Sequence, residues 1–124
     1  MQNALQVNDQ LSNGDLFDAF TMQLAKDFGQ SNFQTDFIKN LEPDFAIIHK
    51  KIVGELQRSE KNADTNLMTL LYRIDISEAQ LKKYLNEHNH ENYLMTIAEL
   101  IIKRVLQKVV IRQYYKKNEG QQDV

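Results

Sequence analysis

The chain has no cysteine. That absence removes disulfide bonds, thiolate metal ligands and cysteine nucleophiles together, and it fits a reducing compartment. Proline occurs once and glycine four times in 124 residues, and no stretch alternates apolar with polar residues as a strand would. So few breakers predict an all-α fold, a single helical bundle of four to six helices around a long, largely apolar C-terminal helix. No nucleophile elbow, phosphate loop or HExxH motif is present. Serines are only Ser12, Ser31, Ser59 and Ser77, three of them at expected helix boundaries. Catalysis needs a positioned constellation and none is visible, so neither an enzyme nor a cofactor is expected. Long uncharged runs are missing as well. Lys103, Arg104 and Lys108 interrupt the most apolar stretch, which argues against a transmembrane span. The first twenty residues carry no basic residue and no apolar core, so the expectation is a cytoplasmic protein without a signal peptide.

What is present is ordinary globular material. Hydrophobic residues make up 42% and charged residues 26%, enough for one domain with a core of its own. The net charge of −2 does not advertise a polyanionic partner. It is unevenly spread: residues 1–60 hold nine acids and five bases, and residues 61–124 hold eight acids and ten bases. Within 103–117 stand Lys103, Arg104, Lys108, Arg112, Lys116 and Lys117 with no acid among them.

Apolar spacing then places the helices. Residues 1–14, with Leu5, Val7 and Leu11, read as a loose arm or a short helix. The helical domain is expected over 15–117 and a polar tail over 118–124. Ser12 with Asp15 marks a start, and Phe17, Phe20, Leu24 and Phe28 share one face of a helix ending near Gly29. Phe33, Phe37 and Leu41 are spaced for a short helix that polar neighbours dilute. Pro43 suits the first turn of the next helix, with Asp44 favourable to its dipole, and Phe45, Ile48, Ile52 and Leu56 form its apolar stripe. Asp64 is a candidate cap for a helix with Leu67, Leu70, Leu71 and Ile74 inward. "ISEAQL" gives the sharpest local signal: Ser77 as N-cap with Gln80 three later forms a capping box, and Ile76 can staple onto Leu81. The helix so started buries Leu81, Tyr84 and Leu85. A last helix, from about Glu91 to about Lys116, is apolar on most of its circumference and is expected to be the one the others pack around.

"EHNHE", residues 87–91, joins these last two helices and raises the question of a metal. His88 continues the inward face of its helix and favours the carbonyl end, Asn89 suits a capping position, His90 falls in the turn, and Glu91 suits a helix start. His49, the third histidine, lies in an apolar stripe and reads as a hydrogen-bonded core residue. A metal site or enzyme using His49, His88 and His90 would need convergent ligands, and the diagnostic spacings are absent.

"LLYRIDISE", followed by "AELIIKRVLQKVVIRQ", resembles a family of short, uncharacterised helical bacterial proteins, mainly over residues 65–113 and loosely around "LAKDF". The resemblance implies a helical fold and a bacterial cytoplasmic setting. The family has no assigned activity, so it lends no role to any residue. Earlier in the same segment, Tyr72 sits on the flank of its helix and Arg73 opposite the core, with Arg73 and Asp75 expected to pair locally or with a neighbouring helix.

Two readings remain for the basic end. A nucleic-acid binder would set its six cations on phosphates and stack bases on Tyr114 and Tyr115. The other, favoured reading is a solvated helix face whose bases complement the C-terminal dipole, since at 100° per residue the cations scatter around the helix instead of forming a stripe. The preferred reading is a non-enzymatic interaction or structural module acting on another protein or a second copy of itself. Leu94, Ala98, Ile101, Ile102 and Val105 form the inward arc of the last helix, and the same arc next reaches Arg112 and Lys116. A core does not accept unpaired charges at successive turns. The helix is therefore expected to outrun its domain after about Val110, offering Ile111, Arg112, Tyr114, Tyr115 and Lys116 to a partner.

Overall fold

The computed structural model describes residues 4–62, 66–88 and 92–122, and within these the side chains from residue 6 to residue 116. Six α-helices follow in order: α1 Ala4–Leu11, α2 Gly14–Gln30, α3 Phe45–Ser59, α4 Leu67–Arg73, α5 Glu78–Glu87 and α6 Tyr93–Gln122, with a 3-10 turn at Asp36–Ile38 between α2 and α3. There is no strand among the described residues, and none of their helices is long and apolar enough to cross a membrane. The fold is all-α, as the scarcity of breakers predicts.

The helix that is greasy on most sides is the hub. α6 packs against α2, α3 and α5, and from Leu94 to Val109 it buries Leu94, Ile97, Ala98, Leu100, Ile101, Ile102, Val105 and Leu106. Burial of that many branched side chains on one helix outweighs its propensity as the reason it forms. The stripes of α2 (Phe20, Leu24, Phe28) and α3 (Ile48, Ile52, Leu56) meet it, while Phe17 and Phe45 are half-buried at its margin. α1 is a true helix that adds Val7 and Leu11 to the same core.

Several boundaries differ from the sequence reading, each for a local reason. The N-cap of α2 is Asn13, whose Oδ1 accepts from the Leu16 N–H at 3.1 Å. Ser12, one residue earlier, instead donates to the Asp9 carbonyl and closes α1. α2 ends at Gln30, near Gly29 as expected. The chain turns at Asn32, in the left-handed region at φ 66°, where Phe33 N–H reaches back to the Phe28 carbonyl and Asn32 N–H to Gly29. This is a Schellman ending with Asn in place of Gly, and its apolar clasp is the Phe28–Phe33 ring pair at 5.4 Å. Pro43 stands just before α3 and not within its first turn, because Asp44 is the N-cap, accepting from Ile47 N–H. The Phe45 N–H, orphaned at that helix start, donates to Asn8 of α1 at 2.8 Å. Asp64 lies outside the described residues, and Asn66 caps α4. α6 begins at Tyr93, with Asn92 accepting from Leu94 N–H, and its backbone continues past Lys116 to Gln122. Leu81 and Leu85 of α5 are only half-buried, whereas Tyr84 is fully inside.

The joint between α4 and α5 combines a helix ending and a helix cap in four residues, Ile74 to Ser77. Asp75 sits at φ 65°, Ile76 N–H donates to the Leu71 carbonyl and Asp75 N–H to that of Tyr72, a second Schellman ending. Ser77 then opens α5 at once, its Oγ accepting from Gln80 N–H at 3.1 Å while Gln80 Oε1 accepts from Ser77 N–H at 3.0 Å. The capping box is complete. Ser77→Ala is expected to lower stability by about 1 kcal/mol, the usual cost of losing such a cap. A denaturant midpoint equal to that of the parent chain would show that the box contributes nothing.

Candidate interaction surface at the end of the last helix

Core burial on α6 ends at Val109, which is 1% exposed, and Val110 is half-buried. Beyond it Ile111 is 44% exposed and Tyr114 and Tyr115 are each 63% exposed. Positions i, i+3 and i+4 share one helix face, so these three form one apolar stripe, with the two tyrosine rings edge-to-face at 5.9 Å. Arg112 and Lys116 are exposed beside them.

Arg112 nevertheless has company. Its Nη1 donates to Gln23 Oε1 at 3.3 Å, and Gln23 Nε2 donates to both oxygens of the buried Asp27 at 3.1 Å. The Gln23 amide thus relays between the guanidinium and a carboxylate that is only 3% exposed. One residue further, Gln113 Nε2 donates to the Asp15 carbonyl at the start of α2. Sequence reasoning missed both Gln23 and Asp27: they are four residues apart on α2, but the Arg112 contact that gives the pair its place lies 89 residues away from Gln23. From Tyr114 to Gln122, roughly 14 Å of helix at 1.5 Å per residue extends past that last contact with α2.

Two further cations of the basic stretch, Lys103 and Lys108, are paired with carboxylates inside the molecule. Lys103 pairs with Glu99 at 2.9 Å and donates to the Tyr84 hydroxyl at 3.4 Å. Arg104 donates to Gln107, and Lys108 pairs with Asp75 at 3.4 Å while donating to the Arg73 carbonyl. Arg73 itself donates to Gln30 of α2, so Arg73 and Asp75 each meet a neighbouring helix, as one of the two expected arrangements has it. Lys117's side chain lies outside the described residues. Cations spent on internal partners do not form a phosphate-tracking groove.

His49 and His88 are occupied as well. His49 stacks on Phe45 at 5.7 Å, and its Nε2–H donates to the Met95 carbonyl of α6 at 2.7 Å. His88 closes the end of α5, its Nδ1–H donating to the Tyr84 carbonyl at 3.1 Å and its ring lying on the Tyr84 ring at 3.8 Å. Burial, aided by the nearby Glu99 carboxylate, pushes the Tyr84 phenol well above its usual range. The His88 carbonyl accepts from Thr96 of α6. Asn89, His90 and Glu91 lie outside the described residues. Among those described, no group of three or more metal-ligating side chains converges. We expect elemental analysis of purified protein to find no stoichiometric transition metal. One zinc or iron per chain, lost in a His88→Ala/His90→Ala double variant, would reverse that.

A scan against protein-family models finds no match, and searches of curated proteins and of solved structures find none either.

Proposed function

We propose that this chain is a non-enzymatic interaction or structural module, working in a bacterial cytoplasm and engaging another protein or a second copy of itself through the end of α6. The observation that carries this reading is the stripe of Ile111, Tyr114 and Tyr115, exposed beyond the last core residue on a helix that runs on to Gln122. Tyrosine offers a large amphipathic contact area with little rotamer entropy to lose, which is why it is enriched at interfaces. Arg112 and Lys116 supply a polar rim to that stripe. The internal pairing of Lys103 and Lys108 favours this reading over nucleic-acid binding.

Truncation after Gln113 tests it. The expected outcome is a melting temperature within a degree or two of the parent, since surface groups away from the core contribute about ±0.5 kcal/mol, with loss of any dimer seen by light scattering or of any partner captured from the native cell. Nuclease treatment of a parallel capture separates a protein partner from a nucleic acid. If the truncated chain unfolds, the segment belongs to the core and this reading falls.

A further inference from the structure

A groove of about 590 Å³ runs between α5 and α6, a size that suits a small organic molecule. Its floor is Ile76, Leu100 and Tyr84, each no more than 6% exposed, and its apolar surface comes mainly from the side-chain stems of Gln80, Lys83, Lys103 and Arg104. The two helices are antiparallel, as the contacts Thr96–His88, Lys103–Tyr84 and Lys108–Asp75 require. Arg104 therefore faces the early turns of α5, and Leu100 the turn that ends at Glu87.

The charges in this groove are not balanced alike. Lys103 is neutralised by Glu99. Arg104 is half-buried and has no carboxylate within ion-pair distance among the described residues; its Nη1 donates to the neutral Gln107 amide at 2.9 Å. Its Nε is one of three buried side-chain polar atoms without a partner among those residues, and the other two, Gln10 Oε1 and Ser31 Oγ, belong to neutral groups. Lys83, on the opposite wall, is exposed and likewise has no ion-pair partner among them. A guanidinium stripped of part of its hydration is stabilised by an anion brought to it, and buried polar groups left unmatched call for a ligand or another explanation.

We propose that this groove binds a small amphipathic organic anion, a carboxylate or phosphate on an apolar body. The anionic head lies against Arg104 and Lys83, and the body covers Leu100 and the Tyr84 ring. Glu87 at the far end repels a second negative charge and so fixes the direction of binding. The proposal is independent of the stripe at the end of α6.

Titration of the ¹⁵N-labelled full chain with phenyl phosphate, phenylacetate, inorganic phosphate and neutral phenylacetamide, followed by NMR, tests it. At least one of the two ring-bearing anions is expected to give saturable shifts at Arg104, Lys83 and Leu100, and to bind roughly tenfold more tightly than inorganic phosphate, the gain from burying part of a ring. Which of the two does so identifies the head group. Arg104→Gln is expected to weaken that binding roughly tenfold or more, and Lys83→Gln roughly threefold, as loss of charge-assisted contacts should. Lys51→Gln, an exposed cation of α3 outside the groove, leaves it unchanged. Should Arg104→Gln fail to fold, the exposed Lys83→Gln carries the same comparison. Shifts that grow linearly with every anion, equal binding of phenylacetamide, or undiminished affinity in the folded variants would each overturn the proposal.

Discussion

Replacing Phe28 with alanine is expected to destabilise the protein by about 4 kcal/mol, the cost of truncating a fully enclosed phenylalanine. Phe28 is 0% exposed, and its ring meets Phe33 at 5.4 Å and Phe37 at 5.5 Å, both edge-on. It also holds the apolar position of the Schellman ending of α2, so the substitution opens a cavity and loosens the turn together. A domain of this size has about 5–15 kcal/mol in hand, so the variant should fold but unfold at far lower denaturant. Met22→Ala, on the same helix and 74% exposed, is the control and should change stability by no more than about 0.5 kcal/mol. A Phe28→Ala cost below about 1.5 kcal/mol would mean that the site collapses freely and is not packed as described.

Glu55→Ala is expected to cost about 2 kcal/mol, chiefly through a backbone amide left without its acceptor. The Glu55 side chain is 6% exposed. Its carboxylate takes a forked pair of bonds from Arg58, at 2.6 and 2.9 Å, and a third from the Gln34 N–H at 3.0 Å. That third bond ties the segment after α2 to the middle of α3. Glu55→Gln keeps an acceptor for Gln34 and should lose less. Hydrogen exchange at the Gln34 amide separates the effects: it should quicken in the alanine variant and change little in the glutamine one. An alanine variant as stable as the parent would show that the anchor contributes nothing.

These two sites differ in how far they can be read from sequence. Phe28 falls on a 3–4 spacing with Phe20 and Leu24, and such periodicity reports burial directly. Capping is also local, so the Ser77–Gln80 box is legible from four residues. Glu55 is not legible: its stripe position is shared with exposed neighbours, and its partner amide lies 21 residues away. The same holds for His49 with Met95 and for Arg73 with Gln30, which are 46 and 43 residues apart. The end of α2 falls at Gln30, beside the Gly29 that marks it in the sequence, but the left-handed turns after α2 and α4 are made by Asn32 and Asp75, which no local signal singles out. Asparagine and aspartate tolerate that conformation at a modest cost. At the α6 stripe, the arc that carries Arg112 and Lys116 into line with core positions is sufficient to place Ile111, Tyr114 and Tyr115 outward. Nothing in the sequence pairs Arg112 with Gln23.

The joint between α4 and α5 makes chain length the constrained quantity there, more than composition. Ile76 completes the Schellman ending of α4, where it is 6% exposed, and the very next residue caps α5. No residue is spare. A single insertion between Asp75 and Ser77 must either pull Ile76 out of the core or part Ser77 from its place at the helix start. α4 packs on α2 and α5 on α6, so a linker, tag or inserted domain placed at this point would disturb the end of one helix and the start of the other together. The exposed Glu60–Asn62 stretch after α3 carries no such double duty and is the natural place for one.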